Sequence, residues 1–198
     1  GIERPVVLGV SFGGIVALAY ATRHPEHPAG LVLASTQATV TLPRVLAAFE
    51  RLGGVTARDA AARFWARPSN EALAAYARHC WPHYTRAPRD PRVLARQRAR
   101  ADVLLHYTER EDGRFDYRAD LARIRCPTLV LGGEDDPITP IEDAEDLAAG
   151  IPGARLVRVP RCGHGVFPDA PEAFFAALRA FLEERAVLDA ASDPADRD

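Results

Sequence analysis

The chain has no lysine and no methionine; every one of its 25 basic side chains is an arginine. Without lysine there is no Walker-type phosphate loop. The Arg- and Ala-heavy usage reads as codon bias rather than function. Cysteine is scarce: Cys80, Cys126 and Cys162 are odd in number and widely spaced, which excludes a disulfide framework and fits a reducing cytoplasm. No apolar run approaches the roughly 18 residues of a membrane span, and the basic and apolar regions of a signal peptide do not occur at the start. A basic excess is also lacking. The net charge of -2 and pI of about 6.3 argue against a nucleic-acid partner. What remains, with 47% apolar and 26% charged residues in 198, is globular rather than disordered.

Charge is uneven along the chain. Residues 37–119 carry 15 Arg against 9 acidic residues, and the remainder 10 Arg against 18. The basic middle reads first as a solvated helical surface. Periodicity divides the chain at the same places. Residues 5–8 and 30–35 are short β-branched runs of the kind buried on both faces of a parallel sheet, and residues 12–23 between them form a helix, which makes a right-handed strand–helix–strand unit. From 41 to 121 the pattern is helical. A stripe of Val45, Leu46, Phe49 and Leu52 stops at Gly53-Gly54. Thr56 opens a helix through Trp65, Ser69 another through Cys80, Asp90-Pro91 a longer one toward Tyr107, and Asp116 a short one through Ile124. The sheet pattern returns with strands at 128–131 and 155–159 and helices at 141–149 and 170–185. The fold class is therefore α/β, a mainly parallel sheet flanked by helices. The sheet parts occupy 1–36 and 122–186, a helical insertion 37–121, and a frayed acidic tail 187–198.

The first strand runs into Gly9-Val10-Ser11-Phe12-Gly13-Gly14, a G-x-S-x-G pattern between strand and helix. A nucleophile in so sharp a turn has its Oγ exposed, and its neighbours must lack bulk for the two backbones to approach. The helix that follows adds a backbone N–H, that of Phe12, and a partial positive charge beside the reacting oxygen. A dinucleotide fingerprint fails, since position 11 is Ser where G-x-G-x-x-G needs Gly. The serine needs a base and the base an orienting acid. Carboxylates follow the 128–131 strand in Gly133-Glu134-Asp135-Asp136-Pro137-Ile138-Thr139-Pro140, and a histidine follows the 155–159 strand in Cys162-Gly163-His164-Gly165. Both loops leave the carboxyl ends of parallel strands, the edge where open α/β sheets place their sites.

These residues resemble the α/β-hydrolase fold superfamily: Gly9–Gly14 its nucleophile elbow, Gly133–Pro140 its acid loop, and Gly163-His164 its histidine loop. The resemblance implies a catalytic Ser11, Asp136 (not Asp135) as acid, His164 as base, Phe12 N–H as oxyanion donor, and no metal or cofactor. It also implies that the helical insertion is a cap. The stretch Cys126–Pro137 and the ending Cys162–Phe167 look most like proline-iminopeptidase-type members. That implies a short-peptide substrate with a free N-terminal residue, and an anionic group in the cap to hold its ammonium, for which Glu50, Glu71, Glu109, Glu111 and Asp112 are candidates. The basic cap keeps an esterase, lactonase or thioesterase on small acyl substrates as the alternative. The family places several strands and an oxyanion loop before the elbow, whereas one strand precedes Ser11 here, so this chain is expected to be the C-terminal portion of a longer enzyme. An inactive or binding-only fragment is the alternative from another class. Haloalkane dehalogenases and epoxide hydrolases carry Asp where this elbow has Ser11.

Other residues read as packing. Cys80 and His83, with His79, have half the spacing of a metal site and no second pair, and Cys162 reads as a small buried residue. Trp65, Tyr76, Trp81 and Tyr84 are core candidates first and pocket candidates second, and His24 and His27 sit at a helix end.

Overall fold

The computed structural model describes residues 1–88, 90–96, 98, 100–110 and 114–191. Four strands, β1 (Val6–Val10), β2 (Gly30–Ala34), β3 (Thr128–Gly133) and β4 (Arg155–Val159), lie parallel in that order. Val10 stands opposite Ala34, Ala34 opposite Leu131, and Gly133 opposite Val159, so the carboxyl ends of all four strands form one edge. β2 and β3 are buried throughout. Their Leu and Val side chains feed two layers. On one face Leu31, Leu33 and Val130 meet Leu18 of α1 (Phe12–Arg23) and Leu147 of α6 (Ile141–Gly150). On the other, Val32, Leu129 and Leu131 meet Phe174 and Phe181 of α8 (Pro171–Ala191), which follows the one-turn α7 (Val166–Asp169). Each such side chain contributes about 1.5–3 kcal/mol on burial.

β1 departs from its expected burial. Val6, Leu8 and Val10 are 39%, 44% and 41% exposed, because β1 is an edge strand and α8 covers β2 and β3 rather than β1. Only the opposite side of β1, through Val7, packs on the α1 layer. The continuous apolar run predicts a strand but not what covers it.

Between β2 and β3 the chain is helical. α2 (Leu42–Ala66) is two helical runs that meet at a kink: Gly54 takes φ 72°, ψ -173°, a conformation no helix contains, so the first run stops at Gly53-Gly54 as expected and the second resumes directly after Gly54 rather than at Thr56. α3 (Asn70–His79) begins where expected, with Ser69 Oγ accepting from Ala72 N at 3.1 Å. A 3-10 turn at Trp81–His83 follows. The expected long helix from Asp90 is two, α4 (Pro91–Arg96) and α5 (Ala101–Arg110), and the short one near Asp116 is a 3-10 helix at Arg118–Arg123. Asp102, in the first turn of α5 and paired with Arg100, complements a helix N-terminus there. The segment has its own core, with the Phe64 and Tyr76 rings stacked at 4.8 Å over buried Phe49.

Ion pairs fasten α2 to the sheet layer. Arg44 reaches Asp143 at 2.7 Å and Asp146 at 2.6 Å on α6, and Arg51 reaches Asp135 at 2.9 Å. Burial pushes the Asp143 carboxyl up to about 6 against the opposing pull of Arg44. At the other end of the chain, α8 continues to Ala191, beyond residue 187 where the tail is expected to begin; Ala186, Leu188, Ala190 and Ala191 are strong helix formers. The rest of that tail, 192–198, lies outside the described residues.

Candidate functional site

Ser11 stands between β1 and α1 with φ 53° and ψ -122°, a left-handed backbone that costs an L-residue about 1–3 kcal/mol. The surrounding chain over-determines it. Ser11 N donates to Ala34 O at 3.0 Å and Thr36 Oγ1 donates to Ser11 O at 2.8 Å, which ties the turn to the end of β2. No side chain fits at Gly9 or Gly14: a Cβ on Gly9 would lie 2.6 Å from the Gly14 Cα, and one on Gly14 would lie 2.5 Å from the Thr36 Cβ. Gly9 and Gly14 are thus packing requirements of the elbow, whereas a Cβ on Gly13 would meet open space.

The two distant loops converge on this serine. His164 Nε2 lies 2.8 Å from Ser11 Oγ, and His164 Nδ1 lies 2.9 Å from Asp136 Oδ2 and 3.1 Å from Oδ1. The structure therefore brings Ser11, Asp136 and His164 together, and it turns Asp135 outward to Arg51 and Arg86. Asp136 is 1% exposed and held on all sides. Its Oδ1 accepts from Ile138 N at 2.8 Å and Thr139 N at 2.9 Å, and its Oδ2 accepts from the Thr139 hydroxyl at 2.7 Å. Burial works to lower the His164 pKa, but the charge of Asp136 and their hydrogen bond outweigh it and hold the imidazole above its ordinary 6.5. Phe12 heads α1, where the first amide protons have no intrahelical acceptor.

A cavity of about 690 Å³ opens over Ser11 and His164. The helical segment supplies most of its wall, including Phe64, Trp65, Tyr76 and Tyr84; Trp81 is not among the lining residues. Arg98 and Arg100 stand in the lining, and among the described residues no carboxylate does. Of the expected ammonium-binding candidates, Glu50 pairs with Arg58, Glu71 with Arg63, and Glu109 lies beside Arg110, all away from the cavity; Glu111 and Asp112 lie outside the described residues.

The model of the α/β hydrolase fold family matches residues 1–171. The chain belongs to the α/β-hydrolase fold family. It is 33% identical over 198 residues to the putative carbamate hydrolase RutD of Caulobacter sp. (strain K31), an alignment covering 94% of this chain and 68% of that protein. It is also 33% identical over 181 residues to the pimeloyl-[acyl-carrier protein] methyl ester esterase of Aromatoleum aromaticum, covering 86% and 70%. Among solved structures, the proline iminopeptidase of Mycobacterium smegmatis superposes with a TM-score of 0.69 at 24% identity, over 98% of this chain and 68% of that one, a likeness of fold. The chain thus spans about two thirds of the length of these relatives.

Within this α/β-hydrolase fold, two supports of the site are invisible to motif reading. Thr139 closes an Asx-type turn onto Asp136; the acid loop contains it, but only the fold shows that its hydroxyl points back. Asp169 stands at the end of α7, two residues before α8 opens at Pro171. In the fold its Oδ2 accepts from Gly163 N at 2.7 Å and Arg86 N at 2.9 Å, and its Oδ1 accepts from Ala87 N at 3.1 Å. His164 N donates to Tyr84 O at 2.7 Å alongside. Asp169 therefore clamps the histidine loop to the helical segment. Asp169→Ala leaves three amides short of their acceptor, and kcat is expected to fall by up to about 100-fold. Asp169→Asn, which keeps one acceptor oxygen, is expected to recover part of the loss when the two variants' hydrolysis rates are compared.

The remaining residues do other work. Burial pushes the Cys162 thiol up to about 12, helped by nearby carboxylates, so it holds its proton beside His164. Cys80 is buried, likewise raised to about 12, and donates to Ala57 O at 3.3 Å. Among the described residues no three His, Cys, Asp or Glu side chains gather at metal-binding distance. His27 bonds the Tyr20 hydroxyl at the end of α1, beside His24. No helix among the described residues is long and apolar enough to cross a membrane.

Proposed function

We propose that the protein is a serine esterase acting on small, largely apolar acyl esters. His164 Nε2 takes the Ser11 hydroxyl proton as Oγ attacks the carbonyl carbon, and Asp136 accepts the Nδ1–H and stabilises the imidazolium. The developing oxyanion lies toward Phe12 N–H at the positive end of α1. Collapse of the tetrahedral intermediate expels the alcohol, which takes the Nε2 proton. Water then attacks the acyl-enzyme carbonyl, again with His164 as base, and releases the acid and Ser11.

The observation that favours an ester over the N-terminal residue of a peptide is the cavity wall. It is aromatic and aliphatic, its charged side chains are arginines, and no carboxylate among the described residues stands ready for an ammonium group. Burying an unpaired ammonium costs far more than burying an acyl chain. The test compares ethyl butyrate with proline p-nitroanilide, using the complete gene product and its Ser11→Ala variant as blank. The ester is expected to be the better substrate by kcat/KM. Faster cleavage of the prolyl anilide would reject the esterase reading in favour of an aminopeptidase.

A further inference from the structure

The esterase reading leaves one feature of the cavity unused. Most of its wall is aromatic or aliphatic, and Thr139 and His164 belong to the triad and its support, yet Gln37 also stands in it. Gln37 is 6% exposed, and its Oε1 is buried without a hydrogen-bond partner. A carboxamide left short of a partner in such surroundings costs about 1–3 kcal/mol, so its position needs a reason. The backbone holds it beside the reaction. β2 ends at Ala34, whose carbonyl accepts from Ser11 N; Ser35 follows in a left-handed turn with φ 45°; Thr36 binds the Ser11 carbonyl; and Gln37 comes next, facing the cavity that Ser11 also lines. Ala34 and Thr36 are thus tied to the elbow, Ser35 N is tied to Leu131 O of β3, and Gln37 follows directly.

Resting on the esterase reading, we infer that Gln37 is a specificity-determining residue that hydrogen-bonds a hydroxyl on the acyl group of the substrate, close to the ester carbonyl. A hydroxyl both donates and accepts, so it pairs with either end of the carboxamide as the terminal torsion turns, a rotation with two broad wells. A fully apolar acyl chain fills the same space but leaves the amide unpaired. The substrates are therefore hydroxyacyl esters, whose apolar part meets a wall that includes Phe64, Trp65 and Tyr76. Sites that hydrogen-bond a substrate hydroxyl discriminate against the analogue lacking it much more strongly than apolar pockets discriminate by size.

The test is the ratio of kcat/KM for ethyl 3-hydroxybutyrate to that for ethyl butyrate, followed by pH-stat on the complete gene product and on Gln37→Met. Met has nearly the volume of Gln and no amide, so the substitution keeps the packing. The wild-type ratio is expected to exceed 1 and to fall about tenfold in the variant; a fall of threefold or more supports the assignment. A wild type that prefers ethyl butyrate, or a ratio that moves less than threefold, overturns it while leaving the esterase reading intact. Hydrolysis of neither ester overturns both. If Gln37→Met does not fold, Gln37→Asn, which draws the amide back by one methylene, is judged by the same ratio and the same limits.

Discussion

Ser11→Ala is expected to lower ester turnover by about 10⁴- to 10⁶-fold while leaving the fold in place, because removal of a triad nucleophile costs on that order in kcat. The elbow does not depend on the hydroxyl. The bonds that hold it run through the Ser11 backbone, to Ala34 O and from Thr36 Oγ1, and alanine retains both. Alanine also keeps a Cβ at φ 53°, so the strain there is unchanged. The Ser11 Oγ has its partner in His164 Nε2, which the variant leaves facing the cavity. The thermal midpoint is therefore expected to move by no more than a few degrees. A fluorophosphonate probe gives a second measurement, since it reports nucleophilicity without a substrate: it is expected to label the wild-type chain and not Ser11→Ala. Labelling that persists in the variant places the reactive serine elsewhere, and an unlabelled wild type makes the chain a binding protein or an inactive relic.

The site was more legible in the sequence than the fold around it, for a physical reason. An elbow is a local object: Gly9, Ser11, Phe12 and Gly14 are neighbours whose spacing is dictated by contacts within the turn and with Thr36. The acid and histidine loops are likewise short, and a parallel sheet brings the ends of its strands to one edge. Burial of β1 was not legible, because Val6, Leu8 and Val10 have the composition of a covered strand and exposure is decided by where α8 lies. Gly53-Gly54 reads rightly as a helix end, but the close approach of the His83 ring to Gly53, which leaves no room for a side chain there, belongs to helix packing and is not legible. Asp169 and Gln37 share this limit. Each acts on groups far away in sequence, or through the lack of a partner, and neither leaves a pattern in the chain.

Asp136→Asn is expected to cost about 10⁴-fold in kcat and to move the pH dependence in a defined direction. Asparagine preserves the shape of the acid and can still accept from Ile138 N and Thr139 N, so the acid loop is expected to stay closed. Its amide, however, donates toward His164 Nδ1. That selects the tautomer with the proton on Nε2, the atom that must accept from Ser11. The pH effect follows from charge. In the wild type, burial lowers the His164 pKa while the Asp136 charge and hydrogen bond raise it, and the net position is above 6.5. Only the neutral imidazole is a base, so kcat/KM rises with pH through a midpoint above 6.5. The variant loses the raising influences and keeps the burial, so its residual activity is expected to rise through a midpoint below that of the wild type. Asp135→Asn is the control. Asp135 pairs with Arg51 and Arg86, so its loss is expected to cost less than tenfold and to leave the midpoint where it was. If the two variants behaved alike, or if Asp136→Asn left the acid limb unmoved, Asp136 would not be the group that orients His164. The expected result instead assigns tautomer and charge to one buried carboxylate, and the packing that holds it to the loop from Gly133 to Pro140.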